Sequence, residues 1–426
     1  MLDKIFAAGL DLLAFVLPIS IAVTNIVFFP LLALWFFGAR WTFARWKPTW
    51  GWPERFFLVF LSVSLVSAAL SLDPRHSFRE IYKKDFYILI AVLLAAFVRR
   101  RELNACLIKI FMAGALLTSI FGLVQYAVGV NVADKADNFF FYLPARLAHW
   151  PRPLLNSLAM VNGRVLGTRG HPLAYAECLL FNWAMAIGLL LISRKREAIG
   201  WILYLILTGA ALLVSQSRGP WIAAAVIAFL AMLTSSSKRG WMIFILCGAF
   251  VAVFAAVPVF RDRAVSILDR SHHSNVERVH MWHAGLQMWK SHPWFGIGAG
   301  GVKVASSAYQ TADEKIWGAW GHLHSVYVNL LAERGALGLL AFLLFISSLV
   351  WELRQALRAT QKDPWRSAVL QAALLGILGF MIGGLTETVY NTAVVMMTFY
   401  FVAGLALALA RHESGLIPSD AHDPKE

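Results

Sequence analysis

The amino-acid sequence predicts an all-α, polytopic membrane protein of about twelve transmembrane helices, with a large helical loop between spans nine and ten. Three observations carry this. Hydrophobic residues make up 59 % of the 426-residue chain and charged residues 15 %, where a soluble domain carries roughly 25 % charged. Apolar runs recur along the whole length, and twelve spans of roughly 20 residues would use about 240 of them. Lysine and arginine clusters follow alternate runs. This composition argues against a soluble enzyme, a disordered chain and a secreted disulfide scaffold.

The runs fall at 5–23, 26–38, 55–72, 86–98, 104–128, 171–192, 199–214, 220–234, 240–258, 325–351, 366–384 and 391–410. The first two read as a tight hairpin around Thr24 and Asn25. No small-residue cleavage site follows the first run, so it reads as a retained span rather than a leader. Cys106, Cys178 and Cys247 each lie in an apolar run, which speaks against a disulfide framework or a thiolate zinc cluster. Arg40, Arg45 and Lys47, then Arg99 to Arg101, Arg194 to Arg196, Lys238 and Arg239, Arg354, Arg358 and Lys362, and Arg411 all follow even-numbered runs. Positive charge stays on the cytoplasmic side, so both termini are expected there. The chain then divides into 1–258, nine spans with an outer segment at about 129–170; 259–323, the large outer loop; 324–411, the last three spans; and 412–426, a polar tail. The absence of an internal repeat argues against an inverted-repeat transporter.

The net charge of +14 is not confined to the inner side. Arg75, Arg79, Lys83 and Lys84 lie between spans three and four, and Arg146, Arg152, Arg164 and Arg169 in the first outer segment. Arg261, Arg263, Arg270 and Arg278 lie in the large loop. Such charge is either solvated loop surface or the lining of an anion site, because guanidinium pairs phosphate through a bidentate fork. Arg218 favours the second reading. It sits in Ser-Gln-Ser-Arg218-Gly-Pro, a very short turn between apolar runs, where an unpaired charge is expensive.

In the large loop, Ser274-Asn-Val-Glu277 reads as a capping box opening a helix to about Ser291. Val279, Trp282, Leu286 and Trp289 give it an apolar stripe, and Arg278, about 100° from it, falls on a flank that faces either a cavity or the surface. His292-Pro-Trp-Phe-Gly-Ile-Gly-Ala-Gly-Gly reads as a turn, with a backbone anion nest as the alternative. It lacks the features of a nucleotide loop. Gly321-His-Leu-His-Ser325 opens the tenth span. His322 and His324 would point about 200° apart on a helix, and Glu333 would lie opposite His324. The loop histidines His272, His273, His280, His283 and His292 come with no HExxH pattern, so neither metal nor cofactor is assigned. The charge sits among membrane spans, so membrane lipids rather than nucleic acid are the expected surroundings.

Taken in order, Gly-Thr-Arg169-Gly-His-Pro, Ser-Gln-Ser-Arg218-Gly, Glu-Arg278, His-Pro-Trp-Phe-Gly-Ile-Gly, His-Leu-His324-Ser-Val-Tyr and Glu-Arg-Gly-Ala-Leu-Gly-Leu resemble the O-antigen ligase/polymerase superfamily of bacterial inner-membrane proteins. The likeness covers about 164–340, and the flanking spans match in hydropathy alone. Where the family reads His-x-His-Asn, this chain has Ser325. The resemblance implies an inverting, metal-independent glycosyltransferase with its active site on the periplasmic face of a Gram-negative inner membrane. Its donor would be a glycan on undecaprenyl pyrophosphate. Its acceptor would be lipid A–core oligosaccharide in the ligase branch, another repeat unit in the polymerase branch, or a protein hydroxyl in a third. The position of the large loop favours the ligase. By resemblance His324 is the base, and Arg218 and Arg278 hold the pyrophosphate. Arg169, Arg152, Lys84 and His322 are further substrate-binding candidates. The reading from another class is a transporter of lipid-linked sugars, which would line a central cavity with charge. Here the midplane is nearly free of ionisable residues.

Overall fold

The computed structural model describes residues 2–41, 50–97, 101–135, 138–142, 158–235, 238–311, 318–360 and 363–412. All twelve apolar runs are helical. In chain order the first six helices are α1 (Leu2–Val16), α2 (Ile21–Trp41), α3 (Trp52–Ala69), α4 (Pro74–Asp85), α5 (Ile88–Phe97) and α6 (Arg101–Val128). A small sheet follows, with β1 (Asn131–Lys135) between β2 (Asn138–Tyr142), antiparallel to it, and β3 (Met160–Val161), parallel to it. Then come α7 (Pro172–Ile192), α8 (Lys195–Val214), α9 (Arg218–Thr234) and α10 (Lys238–Ala256). Three helices fill the expected loop: α11 (Pro258–Val265), α12 (His273–Ser291) and α13 (Gly301–Tyr309). The chain closes with α14 (Val326–Ala359), α15 (Pro364–Thr386), a 3₁₀ turn at Val389–Asn391, and α16 (Ala393–His412).

Length and composition alone do not confirm the count of twelve. Among the described residues seven helices are long and apolar enough to cross a bilayer, or eight if α10 and α11, bent by 102°, form one broken span. Of the rest, α1 has 15 residues, α9 has 17 and α5 only 10, and α2 counts as a shorter apolar helix over Ile21–Phe37. Ten residues rise about 15 Å, half of the ~30 Å hydrocarbon core. The first hairpin is also displaced. α1 stops at Val16 and α2 starts at Ile21, so the turn falls at Leu17–Ser20, around Pro18. Thr24 and Asn25 lie inside α2, where the Thr24 hydroxyl donates to the Ser20 carbonyl at 2.6 Å.

Helices α7 and α16 are buried along nearly their whole length and form the axis of the bundle. The outer helices present apolar side chains outward instead. Leu58, Val59, Leu65 and Val66 on α3 are exposed, as are Ile199 and Leu203 on α8 and Trp241, Ile245 and Val251 on α10. A belt of this extent belongs against lipid rather than water.

A buried ion pair locks the frame of the site. α14 breaks at Gly335, whose φ of 68° is open only to a residue without a Cβ; a side chain there would strike the Trp294 backbone. The break lets the loop before α13 dock on freed backbone. Ile297 N–H donates to the Ala332 carbonyl at 3.0 Å and Gly298 N–H to the Glu333 carbonyl at 2.8 Å. The glycine run is thus a packed turn, with positive φ at Gly296, Gly298 and Gly300. Beside the break, the buried Arg334 donates to Asp85 of α4 at 3.0 Å and to Ser64 of α3 at 2.9 Å. Its guanidinium lies 4.6 Å from the Phe60 ring centroid, and Tyr390 bonds both Arg334 and Asp85. At the other end of the bundle Arg411 joins Glu54 at 2.8 Å and Glu352 at 2.6 Å. Removing one member of a buried pair leaves the other charge uncompensated. Asp85→Ala is therefore expected to cost about 3–5 kcal/mol, seen as a lower melting temperature in detergent. Asp85→Ala with Arg334→Met is expected to melt above Asp85→Ala alone. Equal melting of all three proteins would contradict this role.

Candidate active site

The end of the bundle where α7, α9, α12, α14 and α15 meet gathers the charged residues. Its first component is a pair of stitched turns. Gln125 of α6 accepts from Gly167 N–H at 2.9 Å and donates to the Gly167 carbonyl at 3.1 Å. Gln216 donates to the Gly163 carbonyl at 2.9 Å. Arg164 crosses to the same turn, donating to the Ser215 carbonyl at 3.3 Å and the Ser217 hydroxyl at 3.1 Å. The turn that carries Arg218 is thereby held on both sides.

Arg218 reaches over to the large loop, where its guanidinium donates to the Ser266 carbonyl at 2.8 Å, the Ser266 hydroxyl at 3.1 Å and the Ser274 hydroxyl at 2.7 Å. This corrects the expected capping box. Ser274 is occupied by Arg218, and His272 caps α12 by accepting from Ser274 N–H at 3.3 Å. The expected stripe is also rotated. The buried face of α12 is Met281, Ala284, Gly285 and Met288, whereas Val279 and Leu286 are exposed. Arg278 is three, seven and ten residues from Met281, Gly285 and Met288, within about 80° of them on the helix. It therefore points inward, toward Glu387.

Inside, Arg278 pairs with one oxygen of Glu387, and His324 Nδ1 bonds the other at 2.8 Å. Glu387 terminates α15. His322 and His324 lie before α14, not on it, so the 200° argument does not apply and their rings sit 4.4 Å apart. His324 has a φ of 45°, uncommon for a residue with a side chain and characteristic of constrained functional positions. Ser325, in the place of the family's Asn, caps α14 by accepting from Val328 N–H at 3.5 Å. With His324 off the helix, the spacing argument that set Glu333 opposite it does not apply either. Glu387 was missed, and its signal was a lone carboxylate between two apolar runs on the arginine-rich side.

Burial pushes the Glu387 carboxyl up, but the His324 hydrogen bond and the Arg278 charge outweigh it and hold the group below its ordinary value. An ionised Glu387 can only accept, so Nδ1 of His324 carries a proton, and in the neutral imidazole Nε2 keeps the lone pair. Arg164, Arg218, Arg263 and Arg278 are close enough for their charges to act on one another. Burial, and then Arg263, bring Arg164 down to about 10. Such crowding of cations around one carboxylate suits a polyanionic ligand.

The remaining candidates divide. His322 joins the cluster. Lys84 lies on its far side, bonded to Glu80 at 3.1 Å and Asn391 at 3.2 Å. Arg169 does not join it: its guanidinium donates to the Leu17 carbonyl, with Nε and Nη1 buried and unpaired. Arg152 lies outside the described residues. Trp320 is buried and Trp289 donates to the Pro293 carbonyl at 3.1 Å, so both serve packing.

Burial, followed by the charge of His324, lowers His322 to about 4. Between that value and the ordinary value of about 6.5 the unfolded chain binds more protons than the folded one. Stability is therefore expected to fall as pH drops through this window, by at most about 1.4 kcal/mol per pH unit. His322→Phe should flatten that slope in a pH series of thermal melts. An unchanged slope would show that His322 does not resist protonation.

Residues 203–343 match the family model described as O-antigen ligase. No curated protein matches the chain. The matched segment, about a third of the chain, carries Arg218, Arg278 and His324 and supports a likeness to the O-antigen ligase/polymerase superfamily.

Proposed function

We propose that the protein is an O-antigen ligase, joining a glycan carried on undecaprenyl pyrophosphate to lipid A–core oligosaccharide at the periplasmic face of the inner membrane. The observation that carries the chemistry is the shared carboxylate. Glu387 holds His324 in the tautomer with Nε2 free, and holds Arg278 beside it.

The reaction needs a base for the acceptor hydroxyl and a sink for charge on the departing pyrophosphate. His324 Nε2 takes the hydroxyl proton as the oxygen attacks the anomeric carbon. A carbon–oxygen bond forms, the bond to the pyrophosphate oxygen breaks, and undecaprenyl pyrophosphate leaves with the electron pair. Arg218 and Arg278 stabilise that growing charge from fixed positions, where donors are worth most. Arg164 and Arg263 add to the same field. The short helices α5 and α9 thin the bundle locally and give a prenyl chain a lateral path. The alternatives within the superfamily, polymerase and protein O-glycosylation, use the same chemistry with a different acceptor.

The test is transfer by purified protein from undecaprenyl-pyrophosphate-linked O-antigen to lipid A–core, read on a gel. Wild type is expected to form the joined product. His324→Ala and Arg218→Ala are each expected to lose about 10²–10³ in rate at unchanged protein level. Extension of the donor chain without lipid A–core would reassign the protein as a polymerase. Full activity in His324→Ala would remove the base.

A further inference from the structure

His322 stands between two cationic regions. On one side is His324 with the four arginines. On the other a cavity of about 460 Å³ opens beneath α4, with His322 in its wall. Helix α4 supplies Arg79, Lys83 and Lys84, and α13 supplies Lys303. Glu80 is the only carboxylate paired with them among the described residues; it is shared by Lys83 at 2.7 Å and Lys84 at 3.1 Å. Burial pushes the Glu80 carboxyl up, but the two lysines bring it down to about 2, so it stays charged. Arg79 and Lys303 have no ion-pair partner among the described residues, and the cavity carries net positive charge.

The wall also holds polar atoms that nothing satisfies. Glu333 is 2 % exposed, and its Oε1 has no hydrogen-bond partner. Nε2 of His76 is buried without a partner, against Gly300. Buried polar groups are nearly always paired, with protein, water or ligand, so these atoms are open to a ligand's polar groups; the Glu333 carboxyl otherwise takes a backbone hydrogen bond from Gly300. One that fits offers negative charge to the cations and a hydroxyl to Glu333, which describes an anionic sugar.

We infer that this cavity is the anion site of the acceptor: it takes a phosphate or carboxylate on the acceptor's sugar chain while an acceptor hydroxyl reaches His324. The inference rests on the transfer reading. There the departing pyrophosphate occupies the arginine side of His324, so an in-line attack brings the other substrate from the opposite side, where His322 and the cavity lie. The lysines and Arg79 then fix the acceptor's orientation without touching the reacting atoms.

The test is binding rather than transfer, on the full chain in nanodiscs. The probes are labelled lipid A–core, the same molecule stripped of phosphate, and undecaprenyl pyrophosphate. Arg79 and Lys303 are exposed, so Arg79→Ala with Lys303→Ala should fold; Lys84→Ala is the second variant. Both are expected to weaken lipid A–core binding at least tenfold and to leave undecaprenyl pyrophosphate binding within twofold. Weaker binding of the stripped probe to wild type identifies phosphate as the anion. Undiminished binding that still falls in the variants identifies carboxylate. Variants that lose undecaprenyl pyrophosphate instead, or neither lipid, would overturn the assignment. Transfer by wild type with variants that bind normally would sink the cavity and leave the ligase reading. Variant-sensitive binding by a wild type that transfers nothing would do the reverse.

Discussion

One carboxylate, that of Glu387, sets the geometry of the candidate site. Its two oxygens are divided between the guanidinium of Arg278 and Nδ1 of His324. A neutral side chain there would leave Arg278 without a counter-charge among three other arginines and would free the imidazole to turn. Both consequences are severe in a crowded, largely buried setting, because charge interactions strengthen as water is excluded. Glu387 comes from the end of α15, Arg278 from α12 and His324 from the turn before α14. The carboxylate therefore joins three parts of the chain that share no local sequence, and closes the large loop over the bundle.

That arrangement depends on the break at Gly335 and the pair behind it. The kink frees the Ala332 and Glu333 carbonyls for the glycine turn, and the turn fixes α13 and the cavity beside α4. Arg334 and Asp85 then hold α4 against α14, which places Lys84 and its neighbours near His322. The same short stretch, Glu-Arg-Gly, thus provides an unsatisfied cavity wall, a buried tie and a backbone break in three consecutive residues.

What was legible in the sequence followed from composition and local spacing. The apolar runs became helices because hydropathy over 15 to 20 residues is a strong signal, and α12 ends at Ser291 as its spacing implied. Arg218 stood out because a charge in so short a turn needs a partner. The span count is not settled by hydropathy because hydropathy does not measure length against a bilayer, as the ten residues of α5 show. The stripe on α12 was misread because the large aromatics Trp282 and Trp289 outweighed Met281 and Met288 in the pattern, although the methionines are the buried ones. The partners of Glu387 were not legible because they lie 63 and 109 residues away, and pairing at that range is decided by packing. Arg169 was grouped with the site by motif, but its backbone turn directs it to Leu17.

The account makes the transfer a single displacement, with His324 activating the attacking hydroxyl and the arginines receiving the pyrophosphate. The direct measurement is the anomeric configuration of the new glycosidic bond, read by NMR on the isolated junction fragment and compared with that of the donor linkage. The account predicts inversion. Retention would require a glycosyl-enzyme intermediate and two displacements, and would contradict the role given to His324.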